Sequence, residues 1–419
     1  MLRFFIYSTR PGLKQPLHIS CAKPLVLPTS NCCSNQRLPP FANKILMNLL
    51  FLALKTLKWL LILTVLLTLT VTAYIHFHPT FGGKPDAASL AKIRASEHYS
   101  GTLFQNLEPT ELITPDGKNY STLAWLLGYF TPPEGKNPAT PLPSEPLRVD
   151  KLEDGRLVWF GHSTVLFQMA GKRLITDPVF YRATPLPFGG KPFPQSHPTL
   201  PVDLPPLDAV LISHDHYDHL DYRAIRELDE KVGHYYAPLG VKAHLQRWGI
   251  ADDKITEMDW FEATTLGEIR LTLAPARHFS GRNFINRNRT LWGSWVVQSP
   301  AYRLFYNGDS GYGAHFADIG KRFGPFDIVL MENGAYNSHW ANIHMKPEQS
   351  VQAAVDVGAQ TVLPIHWAKF DLSNHTWQEP IERIRKAAAK TPLTVATPYI
   401  GEVFDYREPP QRTWWQDVL

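Results

Sequence analysis

The run from His214 to His219 constrains this chain more than any other stretch. It reads H-x-H-x-D-H and packs His214, Asp215, His216, Asp218 and His219 into six positions. Neutral imidazole and carboxylate are the groups that hold zinc and closely related ions at about 2.0–2.2 Å. Few structural needs call for that density. Asp208, Ala209, Val210, Leu211, Ile212 and Ser213 come before it, a short, apolar, partly β-branched burst that predicts a buried strand. Leu220 to Ile225 follows and can begin a helix. A strand that ends in a ligand-rich loop presents a metal site at the edge of a rigid sheet.

Three further positions repeat the pattern of strand, then ligand. His278 follows the strand-like Ile269–Leu273, Asp309 follows Tyr302–Tyr306, and His366 ends Thr361–Ile365. Each alone is weak. Four strand ends delivering His and Asp to one edge are hard to reach by accident. Asp177 also ends a predicted strand, Leu174–Thr176, and there it either holds a ligand histidine in the right tautomer or simply opens an Asp-Pro turn. The stretch Leu157–Phe167 predicts two short strands around a tight turn at Gly161, with a hairpin at Gly171 and Lys172. Helices are predicted near Ala87–His98, Pro347–Val357 and Pro380–Ala389. Val179–Pro205 reads as loop, either a lipid-facing lid or a plain crossover. Arg277, Arg282, Arg287 and Arg289 suit an anionic head group or a solvated face.

The cysteines, Cys21, Cys32 and Cys33, all precede the catalytic candidates, so no thiolate serves the metal and no disulfide staples the main domain. The net charge of +4 is too mild to argue for nucleic acid. Trp59–Ile75 is uncharged and apolar, lengthened by Leu49–Leu57, with Trp59 and Tyr74 at its ends as interfacial aromatics. Lys44, Lys55 and Lys58 flank its N-terminal side, which orients the N-terminus to the cytoplasm and the rest to the far, periplasmic side. The expected organisation is 1–46 disordered or an over-extended start, with Met47 a second candidate start; 47–78 a signal anchor or transmembrane helix; 79–146 a wrapping arm and Pro-rich linker; and 147–419 a strand-rich domain that carries the ligand candidates.

Several of these pieces together resemble the metallo-β-lactamase superfamily, most of all its N-acylphosphatidylethanolamine phospholipase D branch and related bacterial metal-dependent hydrolases. They are Gly161-His162-Ser163-Thr164, Thr176-Asp177-Pro178-Val179-Phe180, the His214–His219 run, Leu291-Trp292-Gly293-Ser294-Trp295, Gly308-Asp309-Ser310-Gly311-Tyr312, Gly320–Asp327 and Pro364-Ile365-His366-Trp367. The likeness covers about residues 147–406; the apolar N-terminal segment lies outside it. It implies an α+β fold, an αββα sandwich of two mixed sheets packed face to face with helices outside and metals at one edge.

The resemblance further implies two Zn2+, other divalent ions being open. His214, His216 and His278 would bind one, and Asp218, His219 and His366 the other. Asp309 would bridge them, and a hydroxide between the ions would be the nucleophile. Asp218, Asp309 and His344 then count as catalytic, His344 orienting substrate or protonating the leaving oxygen, unless it is a surface histidine ahead of a helix. The implied reaction is phosphodiester hydrolysis of N-acylphosphatidylethanolamine-like lipids. A lactone or other ester hydrolase and a non-catalytic metal-binding protein are the alternatives. The partners expected are a lipid or small-molecule substrate and a membrane, without nucleic acid; a homodimer stays open.

Overall fold

Parallel strands all end on the same edge of a sheet, and here that edge collects the ligand candidates. The computed structural model describes residues 40–114, 131–283 and 286–418. Cys21, Cys32, Cys33 and the leader up to residue 39 lie outside them. The chain divides into Met1–Leu69 and Thr70–Leu419.

In the first unit the described residues belong to the helix Pro40–Phe77, which begins ahead of Met47. Most of its large apolar side chains are exposed, Leu60, Phe51, Trp59 and Val65 among them. The Thr56, Thr64 and Thr68 hydroxyls donate to carbonyls four residues back, so even its polar side chains are satisfied within the helix. The 35 residues Asn43–Phe77 are long and apolar enough to cross a membrane.

The second unit is built on two seven-stranded sheets. The first runs in the order Val403–Asp405, Arg156–Trp159, Val165–Met169, Lys172–Thr176, Leu207–Leu211, Val232–Pro238 and Ile255–Met258. It is antiparallel as far as Lys172–Thr176 and parallel beyond it. The second runs Thr394–Val395, Ala359–Ile365, Phe326–Glu332, Arg303–Tyr306, Ser294–Gln298, Ile269–Ala274 and Ala263–Leu266. Here the first four are parallel and the rest antiparallel.

Side-chain alternation divides the faces. Leu157, Trp159, Val165, Phe167, Leu174 and Leu211 of the first sheet are buried in one cluster with Leu271, Trp295, Leu304 and Leu330 of the second. Val158, Leu166, Ile175 and Val210, on the other face of the first sheet, pack with Ile225 and Leu228 of the helix Tyr222–Leu228 and with Leu245 and Trp248. The helices Pro347–Asp356 and Glu379–Ala388 bury Val351, Ile381 and Ile384 into the main cluster.

The stretch before residue 147 is more than a linker. Asp86 caps the helix Ala87–Ala95, which stops short of His98, and Ile93, Phe104 and Leu142 are buried in the main core. Leu142 and Ser144 bridge to Gln195 and Ile400. The turn around Gly161 is wider than the sequence suggests: Trp159 and Val165 pair, and Phe160–Thr164 lie between them with Gly161 and His162 both at positive φ.

Candidate metal centre

Five strands of the two parallel halves end on, or within three residues of, a His or an acid. Asp177 follows Lys172–Thr176, and His214 follows Leu207–Leu211. Asp309 follows Arg303–Tyr306, Glu332 closes Phe326–Glu332, and His366 follows Ala359–Ile365. His278 comes off the antiparallel Ile269–Ala274. After His214 the chain turns back on itself, His219 N and Leu220 N both donating to His216 O, which brings His216, Asp218 and His219 to one side. Asp221 then caps the next helix through Arg223 N and Ala224 N.

All seven residues expected from the sequence meet in two adjoining groups. In the first, His214 Nε2 lies 2.9 Å and His278 Nε2 3.3 Å from His216 Nδ1. In the second, Asp218 Oδ2 lies 3.6 Å from His219 Nε2 and 3.5 Å from His366 Nε2. Asp309 stands between them: its Oδ2 is 3.1 Å from both His219 and His366, 3.7 Å from His278 and 3.9 Å from His214.

The far nitrogens of the imidazoles are held from behind. His278 Nδ1 meets Ile343 O at 2.9 Å, His214 Nδ1 meets Ser213 Oγ at 2.9 Å, and His219 Nδ1 meets Asp177 Oδ2 at 2.6 Å. Such contacts fix ring orientation and tautomer and leave Nε2 to face a cation. Asp177 Oδ1 also accepts from Ser213 N at 2.7 Å, and its Oδ2 from the hydroxyls of Ser213 and Tyr306. Two glycines permit the close approach. A Cβ on Gly334 would sit 1.8 Å from His366 O, and one on Gly308, where φ is +62°, would sit 2.7 Å from Ser213 Cβ.

Whether this cluster fits metal ions is decided by what its polar atoms lack. His219 Nε2, His366 Nδ1 and Nε2, His162 Nε2 and Asp309 Oδ1 are buried without hydrogen-bond partners. Buried polar atoms are seldom left so, and orphaned imidazole nitrogens converging on the carboxylates of buried Asp309 and half-buried Asp218 match a cation's needs. The charges agree. Burial pushes His214 and His278 well below the ordinary imidazole range, so both are neutral and able to ligate. Burial acts on His366 too, but Asp309 and Asp218 outweigh it and lift it to about 10. Against the same burial, Asp309 and Asp218 hold His219 well above its usual value. The two carboxylates thus call for positive charge in the same place, and ligation at such a site releases protons.

Two residues in contact with the cluster had no role assigned from the sequence. His162 Nε2 lies 3.2 Å from Asp218 Oδ2, and its ring centroid is 4.0 Å from that of His366. Glu332, fully buried, accepts from Ser310 N at 2.7 Å and is hydrogen-bonded to His344 Nδ1. Glu332 obeys the same rule of strand, then ligand, which could have found it. His162 comes three residues after the apolar strand Arg156–Trp159, which runs in the same direction as Lys172–Thr176, so the same rule could have found it too. His344 is mostly buried, its ring 5.1 Å from His278 and 5.3 Å from His366, so it lies at the cluster rather than on the surface.

Asp215, in the middle of the His-rich run, faces away from the cluster. It accepts from His244 Nε2 at 3.1 Å, Thr290 Oγ1 at 2.9 Å and Gly281 N at 2.7 Å. Of the arginines suited to a head group, Arg277 and Arg282 are instead fastened to the protein. Arg277 bonds Pro109 O and Tyr312 O, and Arg282 bonds Thr80 O, Asp215 O and Leu220 O.

A sheet edge that converges imidazoles and carboxylates on one point can hold metal ions, and the relatives of this chain make it the site of a metal-dependent hydrolase. Residues 172–367 match the family model described as a beta-lactamase superfamily domain. An uncharacterised protein of Mycobacterium tuberculosis is 40% identical over 340 residues, 79% of this chain and 91% of that protein. The N-acyl-phosphatidylethanolamine-hydrolyzing phospholipase D 1 of Caenorhabditis elegans is 32% identical over 243 residues, 54% of this chain and 68% of that one. The mitochondrial enzyme of the same description in Saccharomyces cerevisiae is 31% identical over 241 residues, covering 55% of this chain and 51% of its own. The chain belongs to the metallo-β-lactamase superfamily.

Proposed function

We propose that this hydrolase holds two zinc ions and cleaves the phosphodiester of N-acylated phospholipids, releasing a phosphatidic acid and an N-acylated amino alcohol. The observation that carries the reading is the convergence of orphaned, buried imidazole and carboxylate atoms on either side of Asp309. His214, His216 and His278 form one ligand set, Asp218, His219 and His366 the other, and Asp309 serves both. Metal ions bound there supply Lewis acidity toward phosphoryl oxygens and lower the pKa of water.

The remaining residues have their own tasks. Asp177 fixes the His219 ring from behind. Burial first, and then Asp309, raise Glu332 well above the ordinary carboxylate range, so it carries a proton that His344 Nδ1 can accept. Burial pushes His344 down to about 4, which keeps the imidazole neutral. With Nδ1 engaged, Nε2–H is the donor left for a substrate oxygen, and the hydrogen-bonded pair can pass a proton to the departing alkoxide.

The lipid assignment draws on two further observations: the N-acyl-phosphatidylethanolamine-hydrolyzing relatives, and the exposed apolar helix Asn43–Phe77. That helix is read as a single membrane span, N-terminus cytoplasmic, with the catalytic domain on the periplasmic side. The test is hydrolysis of N-acylphosphatidylethanolamine by the full chain, with and without chelator, followed by mass spectrometry of both products. Chelator-sensitive release of phosphatidic acid supports the reading. Turnover of lactones or carboxylic esters with no phosphodiester cleavage would replace it with the other hydrolase.

A further inference from the structure

Beside the metal cluster, the Thr70–Leu419 unit contains a cavity of about 820 Å³ with predominantly apolar walls. One wall is the end of the apolar helix, with Val71, Tyr74 and Ile75. A second is the stretch Thr184–Phe188, and a third is formed by Tyr217 and Phe279. The Tyr74 hydroxyl donates to Pro185 O at 2.6 Å, which ties the helix end to the opposite loop. A volume of this size suits one extended organic ligand.

Two observations say which ligand. The third wall is shared with the metal centre: Tyr217 stands in the chain between His216 and Asp218, and the Phe279 ring centroid lies 4.4 Å from that of His216 and 4.9 Å from that of His278. The first wall is the end of a helix whose apolar side chains are mostly exposed, a surface of the kind that a bilayer covers. Leu186 and Phe188, on the second wall, are exposed as well. An aliphatic chain in this space therefore keeps apolar contact on three sides while its polar end reaches the metal cluster. The buried cation in the wall, Arg282, keeps one nitrogen, Nη2, without a hydrogen-bond partner, and the exposed Arg287 lies alongside.

We propose that this cavity seats one acyl chain of a phospholipid drawn from the bilayer, with the phosphate end directed to the metal centre. This rests on the lipid reading above and adds the element that recognises the chain, the end of the N-terminal helix. Free fatty acids share the chemistry, and the experiment separates them from membrane lipid.

The full chain is reconstituted in phosphatidylethanolamine–phosphatidylglycerol vesicles that contain a trace of phospholipid with a diazirine near the carboxyl end of one acyl chain. It is then irradiated, and adducts are mapped by mass spectrometry. The proposal expects adducts at Tyr217 and Phe279. These should fall at least tenfold in Val71→Trp and in Leu186→Trp, two exposed positions on facing walls where an indole fills the space without touching the core. Labelling of the helix before residue 70 should be unchanged. Adducts confined to the helix, or adducts at Tyr217 and Phe279 that persist in both variants, overturn it. Efficient displacement of these adducts by soluble fatty acid at micromolar levels would also overturn it, since the occupant would then be the free acid. If N-acylated phospholipids are not hydrolysed yet the adducts form, the substrate assignment fails and the cavity stands; hydrolysis without the adducts sinks the cavity alone.

Discussion

Asp177→Asn removes one charge and almost no volume, and the structure says what that does. The carboxylate accepts from Ser213 N and His219 Nδ1 at 2.7 and 2.6 Å, and from the hydroxyls of Ser213 and Tyr306. An asparagine has a single acceptor oxygen. Its best placement keeps that oxygen where three donors converge and turns the NH2 onto the Ser213 N–H. One charge-assisted bond is then lost outright, a destabilisation of about 1.5–3 kcal/mol. The remaining bonds lose the charge that strengthened them.

His219 loses the negative partner that orients it and raises its basicity, and such losses behind a ligand cost about 10–100-fold in metal affinity. That is roughly 1.4–2.7 kcal/mol of binding. Competition of the purified protein against a chromophoric zinc chelator measures the affinity, and urea titration the stability. Asp208→Asn is the control, since that carboxylate pairs with Lys172 at the surface, away from the cluster. Zinc affinity within twofold of wild type in Asp177→Asn would refute the argument that this carboxylate positions a ligand.

Four other outcomes follow from the same geometry. His216→Ala and Asp309→Asn should each lower turnover by roughly 10²–10³-fold or more with far-ultraviolet circular dichroism unchanged; near-normal rates in either would break the mechanism. His344→Gln should reduce kcat by about 10²-fold and leave zinc content as in wild type. Gly334→Ala, which drives a methyl against His366 O, should lower metal content and thermal stability together. Lys369 is buried, donates to Phe160 O at 3.0 Å, and burial pulls its ammonium down to about 7. Between about pH 7 and the ordinary lysine value, the unfolded chain holds a proton that the folded chain lacks, so stability rises with pH through that window. Urea unfolding at pH 7 and pH 9 should show a gain on the order of 1–3 kcal/mol that Lys369→Met lacks.

The strand ends made the centre legible. His214, Asp309 and His366 each follow an apolar, β-branched burst, and a parallel sheet lines such ends up on one edge. What escaped the sequence is what depends on the meeting of distant segments. His162 reaches Asp218 because Phe160–Thr164 bulges with two residues at positive φ, a conformation that no local pattern announces for a histidine. Asp215 lies inside the His-rich run, and its carboxylate is held by His244 and Thr290, far along the chain. Arg277 and Arg282 suited either a head group or a solvated face, and the backbone carbonyls that hold them leave no trace in sequence. Proline suggested an extended linker or wrapping arm before residue 147, and what it could not show is that Ile93, Phe104 and Leu142 pack that arm into the core.

Metal stoichiometry of the full-length protein bears most directly on the centre. Plasma mass spectrometry after dialysis against metal-free buffer should find two zinc equivalents per chain in the wild type, and about half that or less once His214 and His278 are both replaced by alanine. Fewer than one divalent ion per chain in the wild type, under conditions where phosphodiester hydrolysis persists, would contradict the account.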